Sequence, residues 1–162
     1  VIYGQATCAK EIYGSKKFLD YIITPVGGGG LASGTILATQ AFSPLTKVVL
    51  AEPLNASDAF ESFKLKKLIP VKNPNTIADG LKTSLGDKTF KIIINGAHEV
   101  VTVTEKEIID AMKLIWERLK IICEPSCSLP LAVVLKNQPK YQNKSIGLIL
   151  TGGNVDLSNL PF

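Results

Sequence analysis

The chain has 162 residues, 46% of them hydrophobic, and 18 basic against 14 acidic side chains give a net charge of +4. That is enough apolar mass for one buried core, while the charge is too small and too dispersed for a nucleic-acid surface; the longest basic cluster, Lys64-Leu65-Lys66-Lys67, has no aromatic platform and reads as a solvated helix face. No apolar run reaches the ~18 residues a bilayer span needs, no signal peptide is evident, and three cysteines, an odd number, argue against a disulfide framework and for a reducing, cytoplasmic compartment.

Val1, not methionine, opens the chain just before a helix-like stretch, as expected of a piece of a longer protein. Four apolar, β-branched runs have the length of buried strands: residues 21–26, 47–51, 99–103 and 145–150. The first leads into four consecutive glycines and a small-residue helical stretch over 31–41. The second leads into Glu-Pro-Leu-Asn-Ala-Ser-Asp and an amphipathic helix over 59–68 that ends before Pro70. Residues 70–95, with their Asn-Pro and Asp-Gly turn signals, read as a long connection of the kind that lines sites. After the third strand, Thr104 and Glu107 form a capping box, and Ile108, Met112, Ile115, Leu119 and Ile122 recur at helical spacing. Strands alternating with helices predict an α/β fold, a mostly parallel twisted sheet with helices on both faces.

Such sheets take ligands beyond the carboxyl ends of their strands. Three conspicuous loops fall there: 27–30, 52–58 and 151–154. A tight strand-to-helix turn needs only one glycine. Four in a row let several backbone N–H groups converge at a helix start, which is a phosphate cradle. The Walker pattern is absent, since no Gly-Lys-Ser/Thr follows. Gly27, Gly29 and Ala32 do satisfy the dinucleotide pattern G-x-G-x-x-G/A, with Glu52 at the end of the next strand, so an NAD-binding half-domain stays open. Glu52 and Asp58 are hard oxygen ligands with a backbone carbonyl available between them; the competing reading is a helix start capped by Ser57, with Asp58 complementing the dipole. Cys123 and Cys127, with the single histidine (His98) elsewhere, make a poor zinc site.

Six ordered blocks, "YGQATCAKEI", "PVGGGGLASG", "AEPLNASDAF", "TIADGLKTSLG", "TVTEKEIIDAMKLIWERLKIICEPS" and "ILTGGNVDLSNL", span nearly the whole chain. They resemble the C-terminal part of the serine racemase and threonine dehydratase family, pyridoxal-phosphate enzymes of fold type II, and most of all its eukaryotic serine racemase branch. The resemblance implies a tryptophan synthase β-like large domain, with 1–162 a single partial domain. It implies a small amino-acid substrate, L-serine or L-threonine, converted by α-proton abstraction into the D-form or into an oxo acid and ammonia, by a homodimer when intact. It assigns the cofactor phosphate to Gly27, Gly28, Gly29, Gly30 and Leu31, and the pyridine nitrogen to the Thr151 hydroxyl, a neutral partner that leaves the ring a weaker electron sink. It assigns Mg²⁺ or Ca²⁺ to Glu52, Asp58 and the Ala56 carbonyl, with Asp20 in the outer shell, an assignment that competes with a ribose for Glu52. Lys120 and Asn154 match positions that contact ATP, an effector; their plainer readings are a lysine at a helix C-terminus and a loop-satisfying amide.

Two departures accompany the likeness. The Ser-x-Lys-x-Arg block that carries the Schiff-base lysine, and the Ser-x-Gly-Asn-His loop that grips the substrate carboxylate, are both absent, and Lys10, Lys16 and Lys17 lack the surroundings to replace that lysine. The chain alone is therefore expected to be inactive. In 124–132, Cys127, Ser128 and Pro130 stand where the family has flexible small residues beside the cofactor ring, although Glu124 is kept. A non-catalytic module that keeps the phosphate and metal sites is the alternative.

Overall fold

A computed structural model describes residues 1–15 and 18–162. Four parallel strands, β1 (Tyr21–Pro25), β2 (Lys47–Pro53), β3 (Glu99–Val103) and β4 (Ile146–Leu148), form one sheet in the order β3-β2-β1-β4. Tyr21 pairs with Lys47 and with Ile146, and Val49 with Glu99, so the carboxyl ends of β1, β2 and β4 open on one edge. The chain steps outward from β1 to β3 and then crosses back to lay β4 on the other side of β1. That crossing makes the β1–β4 boundary the switch point where parallel sheets leave a crevice.

Because successive side chains alternate, both faces of the apolar strands need cover. Ile22, Val48, Leu50 and Val100 pack on one face against α1 (Ile2–Ser15), α2 (Gly30–Phe42) and α4 (Asp87–Gly96). Tyr21, Ile23, Val49, Ala51 and Val103 pack on the other against α5 (Glu105–Leu119) and α6 (Pro125–Lys136). The helix α3 (Asp58–Leu65) follows β2, and a four-residue α7 (Gln138–Tyr141) precedes β4.

The capping box is present: the Thr104 N–H donates to Glu107 Oε2 at 2.7 Å, and the Glu107 N–H to Thr104 Oγ1 at 3.3 Å. The helix it starts is shorter than its apolar spacing predicts. Lys120 takes φ 58° and ends α5, which leaves Leu119 and Ile122 exposed. Residues 70–95 are likewise not one connection, since they contain a single 3₁₀ turn, Asp79–Leu81, and most of α4.

Candidate functional site

The glycine run leaves β1 and opens α2 at the switch point. Gly29 takes φ 85°, a left-handed conformation that glycine adopts without penalty. The Gly28 carbonyl is turned toward α4, where it accepts from the Thr89 hydroxyl at 2.8 Å. The planar peptide then points the Gly29 N–H the opposite way. Among the described residues, no protein acceptor takes a hydrogen bond from the N–H groups of Gly27, Gly28, Gly29, Gly30 or Leu31. Those five donors border a cavity of about 260 Å³ whose far wall is Glu124, Ser126 and Thr151 and whose side is Gly80 and Leu81. Five free donors at the start of a 13-residue helix make a strong anion site, and a cavity wide enough for a ring extends from it.

The opposite wall is built by α6 and the chain after β4. The Glu124 N–H donates to the Gly152 carbonyl at 3.0 Å, and Glu124 Oε2 accepts from the Asn154 N–H at 2.9 Å. A Cβ on Gly152 would lie 2.9 Å from Glu124 Oε1, so any larger residue there would push the Glu124 carboxylate from this position. Glu124 thus clamps the segment that carries Thr151 onto the cavity. Ser126 is a site residue that sequence reasoning missed; its hydroxyl is buried, borders the cavity and has no partner among the described residues. Its position after Glu124-Pro125, in the first turn of α6, was the available signal. Cys127, Ser128 and Pro130, expected beside the ring, lie instead inside α6 and off the cavity wall. The Ser128 hydroxyl bonds the Ile108 carbonyl at 3.0 Å, and Pro130 is buried in the helix interior, so neither obstructs the space.

The acidic pair sits one strand over. Glu52 is 1% exposed, and its two oxygens accept from the Ala59 and Phe60 N–H groups at 2.7 and 2.8 Å, the start of α3. Burial pushes its carboxyl up to about 8; the two N–H donors work against that, and Asp58 and Glu61 add to it. Asp58, 4% exposed, accepts from the Leu85 N–H at 2.9 Å, and burial raises its carboxyl too. Ala56 and Asp58 line a separate cavity of about 310 Å³. Among the described residues neither carboxylate has a basic partner within ion-pair distance, and no group of three or more His, Cys, Asp or Glu side chains is clustered to hold a metal. Each Glu52 oxygen thus already accepts one N–H of α3.

Asp20 does not join this pair. It precedes β1 at the opposite edge of the sheet, where it accepts from the Ser145 N–H at 2.8 Å and pairs with Lys144. Six residues of strand rise, about 20 Å, separate its level from that of Glu52, so its assignment to an outer metal shell is wrong. Lys120 is the left-handed cap of α5, and Asn154 lies in the loop that Glu124 holds; Gly153 packs against Ile122, bringing their two segments side by side. Among the described residues no lysine borders the cavity, and Lys16 and Lys17 lie outside them. No helix among the described residues is long and apolar enough to cross a membrane.

Comparison with known proteins agrees with this geometry. The family model described as pyridoxal-phosphate dependent enzyme matches residues 1–152. A serine racemase of Dictyostelium discoideum is 50% identical over 165 residues, covering 99% of this chain and 51% of that protein. A beta-hydroxyaspartate dehydratase of Paracoccus denitrificans is 48% identical over 162 residues, covering all of this chain and 51% of that protein. Among solved structures, maize serine racemase superimposes with a TM-score of 0.91 at 40% identity, over 96% of this chain and 49% of that one. The chain thus spans about half the length of the curated relatives it matches.

Proposed function

The chain belongs to the pyridoxal-phosphate dependent enzymes, and on that basis we propose that it is the cofactor-holding part of an amino-acid racemase or dehydratase acting on L-serine, L-threonine or a similar β-hydroxy amino acid. The observation that carries this reading is the convergence of five unpaired backbone donors, Gly27 to Leu31, on the cavity that Thr151 also borders. Those amides bind the ester phosphate. The Thr151 hydroxyl meets the ring nitrogen as a neutral hydrogen-bond partner, on a loop whose position Glu124 sets. Ser126 supplies a hydroxyl to the same wall. When bound, pyridoxal phosphate draws electron density from the substrate's α-carbon and makes its proton removable. By the resemblance, the amine that would take that proton and the loop for the substrate carboxylate stand in blocks that this sequence does not contain. The chain alone is therefore a binding body without turnover.

The test is equilibrium titration of the 162-residue chain with pyridoxal phosphate, followed by dialysis or tryptophan fluorescence. We expect saturable binding that inorganic phosphate competes away and that pyridoxal, without the phosphate, does not reproduce. Equal affinity for pyridoxal and its phosphate would remove the role given to the glycine loop, and NAD binding in preference to both would overturn the family assignment of the site.

We also propose a divalent cation, Mg²⁺ or Ca²⁺, at Glu52, Asp58 and the Ala56 carbonyl. Two buried carboxylates without a basic partner among the described residues are a donor set that a hard cation suits, since a fixed charge offsets their desolvation. Addition of either ion at a concentration well above its Kd is expected to raise Tm by about 5–10 °C over chelator-treated protein. Superimposable melting curves would discard the site. ATP as an effector near Lys120 and Asn154 is a further proposal, supported by the closeness of their two segments and tested by the same titration with MgATP.

A further inference from the structure

The loop that brings Thr151 to the cavity is fastened from behind by a side chain that does not line the cavity. Between the left-handed Lys120 and the start of α6, residues 121–124 belong to no helix or strand, so no regular ladder fixes their carbonyls. A carbonyl in such a stretch needs a donor from elsewhere. Trp116, half-buried in the last turn of α5, supplies one: its Nε1 donates to the Cys123 carbonyl at 2.9 Å. An indole nitrogen is a donor only, and this is the acceptor it finds.

Residues 122–124 in turn carry the loop after β4. The Glu124 N–H donates to Gly152, its carboxylate accepts from Asn154, and a Cβ on Gly153 would lie 2.6 Å from the Ile122 carbonyl oxygen. The two stretches of backbone are therefore in direct contact. Trp116 also meets the chain beyond the loop. The Phe162 ring approaches it edge-on, with centroids 5.7 Å apart and planes at 76°. Val155 and Leu160 pack on the same small cluster of Met112 and Ile115 that Trp116 joins. One side chain thus grips the support of the loop on one side and its continuation on the other.

We infer that Trp116 is a positioning residue: it sets where Thr151 stands at the cavity, holding residues 122–124 through the Cys123 carbonyl and residues 155–162 through Phe162. Glu124 and Thr151 line the cavity, and Trp116 acts through them. The glycine run is braced instead by α4, where Thr89 holds the Gly28 carbonyl. Trp116 therefore governs the end of the cavity that meets the ring and leaves the phosphate end alone. The effect on the cofactor rests on the pyridoxal-phosphate reading; the hold on the loop does not.

The experiment compares Trp116→Phe with the wild-type chain by backbone amide hydrogen exchange, followed by NMR. Phenylalanine keeps a ring against Phe162 and loses the N–H donor. The Glu124 and Asn154 amides are expected to exchange about tenfold faster, while those of Leu85 and Gly86, in the loop before α4, keep their rates. Unchanged rates at Glu124 and Asn154 overturn the inference, and so does a rise shared by Leu85 and Gly86, which is a general loosening of the chain. Trp116→Phe is also expected to bind pyridoxal phosphate about tenfold more weakly and inorganic phosphate equally well. It should add nothing to the loss caused by Thr151→Val, since both act through one hydroxyl; additive losses overturn the role at the ring. If Trp116→Phe fails to fold, Phe162→Ala, at a residue 41% exposed, carries the test. Its Asn154 amide is expected to exchange about threefold faster, and an unchanged rate overturns the inference. If the loop amides respond as expected and pyridoxal phosphate binds neither protein, the cofactor reading fails and Trp116 still holds the loop.

Discussion

Gly29→Ala is expected to lower the stability of the chain by about 2 to 5 kcal/mol, a fall in Tm on the order of 5–15 °C by calorimetry or thermal circular dichroism. Two costs add. An L side chain at φ 85° carries about 1–2 kcal/mol of backbone strain. The new Cβ would also sit 2.7 Å from Thr89 Cβ and 3.0 Å from Ile93 Cδ1, both in α4, an overpacking that costs about 1–3 kcal/mol. Relief means moving α4 away, and with it the Thr89 hydroxyl that orients the Gly28 peptide. Pyridoxal phosphate binding should therefore fall along with stability. Gly28→Ala is the matched control: its Cβ meets nothing nearer than 3.8 Å, so stability should stay within about 0.5 kcal/mol of the wild type. Indistinguishable melting of the two variants would mean that the loop is not braced against α4 in the way its geometry implies.

That pairing of a legible motif with an illegible support runs through the molecule. The four strands could be read because each is a short apolar run, β1 and β2 being buried on both faces. The glycine run could be read because so few structures demand four glycines in sequence. What braces the loop could not. The helix α4 contains Lys91-Ile92-Ile93-Ile94, a β-branched run that looks like a strand, and it follows turn signals at Asn73, Pro74, Asp79 and Gly80 that suggest a connection. Its first-turn Thr89 gains its role only through Gly28, 61 residues away. The helix α6 was hidden differently: seven of its twelve residues are buried, so it has no polar stripe to reveal a period, and Pro130 argues for a break. Tertiary packing on both α5 and the sheet decides in its favour. Ile122 misled because the apolar spacing continues past Lys120, where a left-handed backbone ends the helix. Asp20 was assigned by the resemblance and not by spacing, and the parallel pairing of β1 with β2 sends it to the far edge. The acidic pair was recognisable by residue type, but not the second duty of Glu52, which binds the first turn of a helix seven residues on.

That double duty makes Glu52 the most informative position for substitution. Glu52→Ala removes the acceptors of the Ala59 and Phe60 N–H groups in a buried site and leaves a void, a loss of about 3–5 kcal/mol, large enough to threaten folding. Glu52→Gln is the more discriminating change. Its amide oxygen still accepts from one N–H, while its NH₂ faces the other, so the fold should survive at a cost of about 1–3 kcal/mol. If the carboxylate served the helix alone, Mg²⁺ would move neither protein's melting curve. If it also holds a cation, wild type gains several degrees from Mg²⁺ and Glu52→Gln gains none, because an amide keeps the shape of the site and loses its charge. Asp58→Asn extends the comparison, since Asp58 accepts from one N–H where Glu52 accepts from two and so has less to lose structurally. A Mg²⁺ response that persists in both variants would place any bound ion elsewhere and leave Glu52 as a helix anchor, whose raised carboxyl is then the cost of burying it without a counter-charge.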